Sequence, residues 1–154
     1  MSTRSTRVIA IANQKGGVGK TTTVVNLAAA LSELKKTVLV IDLDPQANAT
    51  SGLGLPRQQG ISLYPILTGA ADVADIIQAT PYDGINIIPS ELDLAGAEIE
   101  IARQENHLAV VRNLLDRVLT AGVFDYVLMD CPPSLGILMT SSLAAAAGLV
   151  VTMQ

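Results

Sequence analysis

Two hydrophobic periods alternate along this chain. Short unbroken apolar runs ending in turn residues occur at Val8–Asn13, Thr37–Leu43, Ile85–Pro89, Phe124–Asp130 and Leu149–Met153. Runs of this length read as buried strands, because a strand covered on both faces has no need of polar positions. Between them the apolar residues recur every three or four positions, the helical spacing. Val24, Leu27, Ala28 and Leu31 make one such stripe in a helix predicted over Lys20–Leu34, and Leu108, Val111, Leu115 and Val118 make another over Asn106–Leu119. Further helices are predicted at Glu91–Ile101 and Gly136–Ala146, with short helical pieces at Leu63–Leu67 and Val73–Gln78. Gln14–Gly19 is a glycine-rich loop, and Pro45–Gly60 is a long loop rich in Gly, Asn, Gln, Ser and Pro. Strands alternating with helices predict an α/β fold, a mostly parallel sheet with helices on both faces.

Composition adds bounds to this pattern. A length of 154 residues suggests one domain, residues 1–154, and mean hydropathy of +0.43 with 16% charged residues excludes general disorder. The single cysteine, Cys131, excludes an intrachain disulfide and suits a cytoplasmic protein. The run at Val8–Ala12 is too short for a signal peptide. From Cys131 to Gln154 there is no charged residue, the length of a membrane span. Pro132, Pro133, Gly136 and Gly148 divide that segment into a turn, a helix and a strand. The expectation is therefore a helix packed on the sheet, followed by a strand buried on both faces. Met129, Met139 and Met153 are expected in the core.

Charge is unevenly spread. The net charge is −4, but residues 1–36 carry six basic groups and one acid, while residues 37–154 carry four basic groups and thirteen acids. An acidic chain has no overall field for nucleic acid. The local positive excess finds its use in Lys15-Gly16-Gly17-Val18-Gly19-Lys20-Thr21-Thr22, set between a predicted strand and a predicted helix. Glycines let backbone N–H groups converge on phosphate oxygens, and the helix start adds its positive dipole end. Lys20 is then the residue for β- and γ-phosphates, and the Thr21 hydroxyl a ligand for Mg²⁺. The common pattern GxxxxGK[ST] has glycine where this chain has Gln14, and here an extra lysine, Lys15, opens the loop.

Acidic residues stand at two further strand ends. Asp42 and Asp44 end the second strand, where alternation sends both to one face. One suits the Mg²⁺ shell and the other the attacking water, since phosphoryl transfer needs positioning and charge compensation. Phe124–Asp130 ends in a Walker B-type aspartate, Asp130, expected to hold Mg²⁺ through water. Pro132-Pro133 gives a stiff turn suited to sensing the γ-phosphate. His107 and Cys131 read as a surface residue and a space filler. Arg103, Arg112 and Arg117 lie among acids and form no basic stripe for DNA.

The loop KGGVGKTT resembles the deviant Walker A motif of the ParA/MinD ATPases. The run Asp42–Gly54, Asn13-Gln14 before the loop and Asp130–Gly136 are similar to the ParA/Soj branch in particular, and the resemblance covers residues 7–154. It implies a nitrogenase-iron-protein-like P-loop fold that binds and hydrolyses ATP to ADP with Mg²⁺. It implies that Lys15 reaches across an ATP sandwich homodimer to the partner's phosphates, that Asp44 orients the hydrolytic water and that Asp42 supports metal and loop. Lys15, Lys20 and Asp44 are then catalytic, residues 15–22 hold nucleotide, and Thr21, Asp42 and Asp130 serve the metal. Pro45–Gly54 resembles switch I and Pro132–Gly136 switch II. The implied function is segregation of plasmid or chromosome DNA, with non-specific DNA binding, a ParB-like partner and a nucleoid-associated cytoplasmic location.

Three other readings compete. One is a MinD-like or other positioning ATPase acting on a membrane or protein cargo; the membrane form needs a terminal amphipathic helix, which is not expected in this chain. A cluster-carrying dimer would need four cysteines, and one per chain supplies two. A non-catalytic nucleotide-binding module is opposed by the intact Lys20, Thr21, Asp44 and Asp130. The family continues well past Met153, so the chain is expected to be the N-terminal portion of a longer ATPase, with an exposed sheet edge.

Overall fold

The computed structural model describes residues 5–13 and 15–153. Expectations that involve Arg4, Gln14 or Gln154 lie outside the described residues. Strands β1 (Arg7–Ala12), β2 (Val38–Asp42), β3 (Gln78–Ala79), β4 (Ile85–Ile88), β5 (Tyr126–Asp130) and β6 (Gly148–Val151) form one sheet in the order β3-β4-β2-β5-β1-β6. Every pairing is parallel except β3 with β4. The helices are α1 (Lys20–Glu33), α2 (Asn48–Gly52), α3 (Leu63–Leu67), α4 (Val73–Ile76), α5 (Leu94–Ala102), α6 (Val110–Thr120) and α7 (Ile137–Ala145), with a 3-10 turn at His107–Ala109 before α6.

Strand periodicity divides the core into two. Successive strand residues face opposite sides of the sheet. Thus Leu39, Ile41, Val127 and Met129 join Ile66, Leu94, Ile101, Val111 and Val118 under α3 to α7. Val38, Val40, Leu128 and Ile87 join Val24, Ala28, Ala49 and Leu53 under α1 and α2. Both faces of β2 are covered, and all five of its residues are buried. That is why its sequence is apolar without interruption until Asp42.

Four expectations change. The segment Pro45–Gly60 is not loop throughout, since Asn48–Gly52 forms α2. Its entry residue Ala47 takes a left-handed φ of 56°, a conformation that costs a non-glycine residue about 1 kcal/mol or more. Leu108 leaves the apolar stripe and is exposed, because the 3-10 turn ahead of α6 rotates it outward, while Leu114 takes a buried place. The last strand is not buried on both faces: among the described residues β6 pairs only with β1, and Leu149, Val150 and Val151 are exposed. Met153 beyond it is 86% exposed, whereas Met129 and Met139 are core residues as expected. An apolar run therefore marked a strand correctly but could not tell an edge position from a central one.

Candidate functional site

Three strand ends meet at one edge of the sheet. The glycine loop follows β1, Asp42 to Asp44 follow β2, and Asp130 to Pro133 follow β5. Because β5 inserts between β1 and β2, Asp130 stands opposite Ile11 on one side and Asp42 on the other. This is the carboxyl edge of the strands, where open α/β sheets place ligands. A cavity of about 580 Å³ opens here between Gly16–Thr22, Asp44, Gln46, Asn48 and Pro133. A larger hollow of about 800 Å³ lies between Gly69–Ile77 and the stretch from Arg117 to Phe124. It sits by the start of β5, away from every strand-end carboxylate, and has no glycine loop.

Loop geometry follows from two glycines. Gly17 has φ 71° and Gly19 has φ 81°, left-handed values that L side chains rarely adopt. Gly19 caps α1 directly, so Lys20 and Thr21 form its first turn. The helix start carries no acidic residue and leaves its positive dipole end open to an anion. Lys20 is only 7% exposed, with its Nζ donating to the Lys15 carbonyl at 2.8 Å, across the loop mouth. Thr21 Oγ1 donates to Asp130 Oδ2 at 2.7 Å. Lys15 is exposed and lies outside the cavity lining, and its own N–H donates to Asn13 Oδ1 at 2.9 Å.

The three aspartates occupy different settings. Burial raises Asp130 to about 6, against the lowering effect of the Thr21 hydroxyl and with a further raise from Asp44. Its Oδ1 is buried and has no hydrogen-bond partner among the described residues. Asp42 is fully buried and off the cavity wall. Its Oδ2 accepts from Thr50 N–H at 2.9 Å and Thr50 Oγ1 at 2.7 Å, and its Oδ1 from Asp44 N–H at 3.1 Å. Asp44 lines the cavity at 9% exposure, with Oδ1 accepting from Gln46 N–H at 3.0 Å. Cys131 is buried and its thiol is pushed up to about 12, chiefly by that burial, which suits a space filler. His107 lies away from the cavity, with Nδ1 within 3.1 Å of the Gln104 carbonyl oxygen.

Magnesium fits this donor set. An unpartnered buried carboxylate oxygen is costly unless something fills its place. A hydrated hard cation beside Asp130 Oδ1 and the Thr21 hydroxyl would do so. Among the described residues no cluster of three or more His, Cys, Asp or Glu forms a cation cage. Residue types alone had singled out Lys20, Thr21, Asp44 and Asp130. They had not singled out Gln46 and Asn48 on the wall, nor Thr50 and Ser90 behind it; only the polar run after Asp44 signalled the first three.

The chain is similar to known proteins in both sequence and fold. Residues 6–154 match the AAA domain family. The chain is 44% identical over 155 residues to the chromosome partitioning protein ParA of Caulobacter vibrioides, covering all of this chain and 58% of that protein. It is 46% identical over 149 residues to the sporulation initiation inhibitor protein Soj of Bacillus subtilis, covering 96% and 58%. Its fold superposes with a TM-score of 0.92 on cobyrinic acid a,c-diamide synthase from Mycobacterium smegmatis with bound ATP analogue and magnesium, at 40% identity over 97% of this chain and 61% of that one. A putative plasmid partition protein from Borrelia burgdorferi bound to AMPPNP gives 0.82 at 29% identity, covering 97% and 62%. The chain thus spans somewhat over half the length of the relatives it matches.

Proposed function

Since this chain belongs to the AAA domain family and is of the ParA/Soj type, we propose that it is the nucleotide-handling part of a DNA partition ATPase. The observation that carries this reading is one connected constellation: the glycine loop, Lys20, and Thr21 bonded to Asp130, with Asp44 across the cavity. Loop N–H groups and the α1 start hold the phosphates. Lys20 gives up the Lys15 carbonyl and turns its charge to the β- and γ-phosphates. Asp44 orients water towards the γ-phosphate. Thr21 and Asp130 would hold magnesium, which supplies charge compensation on the phosphate oxygens. Asp42 serves the metal only indirectly, by shaping the turn that carries Asp44.

The finer assignments extend the same reading. Lys15, exposed beside the loop, is free to reach a second copy's phosphates across an ATP-dependent homodimer. The Pro45–Gly54 and Pro132–Gly136 segments serve as switches I and II. Plasmid or chromosome DNA is the cargo, a ParB-like protein stimulates turnover, and the location is cytoplasmic at the nucleoid. Among the described residues no helix is long and apolar enough to cross a membrane. The fold is shared with a protein named as a diamide synthase, so nucleotide handling is the common element and the partition role rests on the sequence relatives. Calorimetric titration with ATP and Mg²⁺ tests the core of this. Lys20→Ala is expected to abolish binding, a loss of about a hundredfold or more in affinity. An affinity equal to that of the unsubstituted chain rejects the phosphate-loop assignment.

A further inference from the structure

Ser90 follows β4 and contributes nothing to the cavity wall. It is fully buried. Its Oγ donates to the main-chain carbonyl of Asp44 at 2.6 Å, across 46 positions of sequence. Its N–H donates to Thr50 Oγ1 at 3.0 Å. Thr50 donates through both its N–H and its hydroxyl to Asp42 Oδ2, and Asp42 Oδ1 accepts the Asp44 N–H. These bonds close a ring through Asp42, Asp44, Ser90 and Thr50, drawn from the ends of β2 and β4 and from α2.

The ring holds Asp44 by its backbone on both sides. Asp42 takes its N–H and Ser90 takes its carbonyl. Neither touches the Asp44 carboxylate oxygens that face the cavity. The carboxylate itself is held through Oδ1 by the Gln46 N–H, and the backbone that carries it is fixed by groups behind the wall. The turn concerned is also the strained one, since Ala47, left-handed at φ 56°, donates its N–H to the same Asp44 carbonyl at 2.9 Å. Among the described residues, Ser90 thus ties this turn's main-chain carbonyl to the end of the neighbouring strand β4.

We propose that Ser90, acting with Thr50, is a positioning residue for Asp44: it aims the water-orienting carboxylate and takes no part in nucleotide binding. This rests on the role given to Asp44 above. Misplacement of a reacting group by about 1 Å can cost a hundredfold in rate while leaving ground-state binding intact. Ser90→Ala leaves the Asp44 carbonyl bonded to Ala47 N–H, so no buried acceptor is orphaned.

The test measures steady-state ATP turnover and, separately, ATP affinity by calorimetry, in the protein with Mg²⁺. Ser90→Ala is expected to lower kcat about tenfold or more with KM and Kd within about twofold. Ser90→Thr, which keeps the hydroxyl, is expected to restore most of kcat. Thr50→Val and Thr50→Ser form a second pair with the same expected contrast, should Ser90→Ala fail to fold. An unchanged kcat in Ser90→Ala and Thr50→Val overturns the proposal, as does a loss of kcat and Kd in proportion. Asp44→Ala separates the two claims. If it spares turnover, the reading of Asp44 fails; if it abolishes turnover while Ser90→Ala does not lower it, only the role of Ser90 fails.

Discussion

Asp42 carries three donors on its carboxylate, yet burial pushes it up to about 7, with the neighbouring Asp130 adding to the rise. Between its ordinary value of 3.8 and about 7, the folded chain holds a proton that the unfolded chain has lost. The resulting contribution to stability is full at low pH and disappears as pH rises through about 7. In the metal-free and nucleotide-free chain, urea unfolding is expected to show on the order of 2 kcal/mol more stability from this group at about pH 5 than at about pH 8. Asp42→Asn removes that pH-dependent difference, whatever it does to the absolute stability. A pH dependence identical to that of the unsubstituted chain rejects the assignment. At this scale the residue types were legible: a strand ending in Asp beside a phosphate loop is a chemical statement. Which aspartate faces the cavity was not, because Asp44 lies past the strand end and the turn into α2 decides its direction.

Elements communicate through their ends. Helix α7 begins at Gly136 with no capping side chain of its own. Glu98 of α5 supplies one, since its Oε1 accepts the Leu138 N–H at 3.1 Å. A Cβ on Gly136 would fall well inside contact distance of that carboxylate. The glycine is needed for close approach, as its φ of −75° is ordinary. An anion at a helix start is worth about 0.3–1 kcal/mol, more when partly buried. Glu98→Ala is expected to cost about 1 kcal/mol in denaturant unfolding. Gly136→Ala should cost a similar amount by pushing the carboxylate away. The double variant should cost clearly less than the sum, because both remove one contact. Full additivity would show that Glu98 and Gly136 are independent. The α7 helix itself was readable from its spacing, whereas its cap, forty positions away, was not.

For the whole molecule, the decisive features are strand order and the exposed edge. β6 presents Leu149 and Val151, each 54% exposed, on a strand with one neighbour among the described residues. Long apolar edges are templates for pairing with another chain. The 154-residue chain by itself is therefore expected to self-associate at micromolar concentration. Leu149→Lys with Val151→Lys should reduce light scattering several-fold and leave ATP affinity unchanged. Scattering by the unsubstituted chain at the level of a monomer would contradict this. By itself, the sequence determined what is local. A phosphate loop is made of consecutive N–H groups, strands follow from short unbroken apolar runs, and helices follow from apolar residues three or four positions apart. Tertiary structure decided what depends on distant pairing. The insertion of β5 between β1 and β2 carries Asp130 to the loop, the edge place of β6 leaves an apolar strand exposed, and the end of β4 brings Ser90 behind Asp44. Backbone hydrogen bonds join strands of any sequence equally well. Strand order is therefore set by how all the covering helices pack together, and no single segment records it.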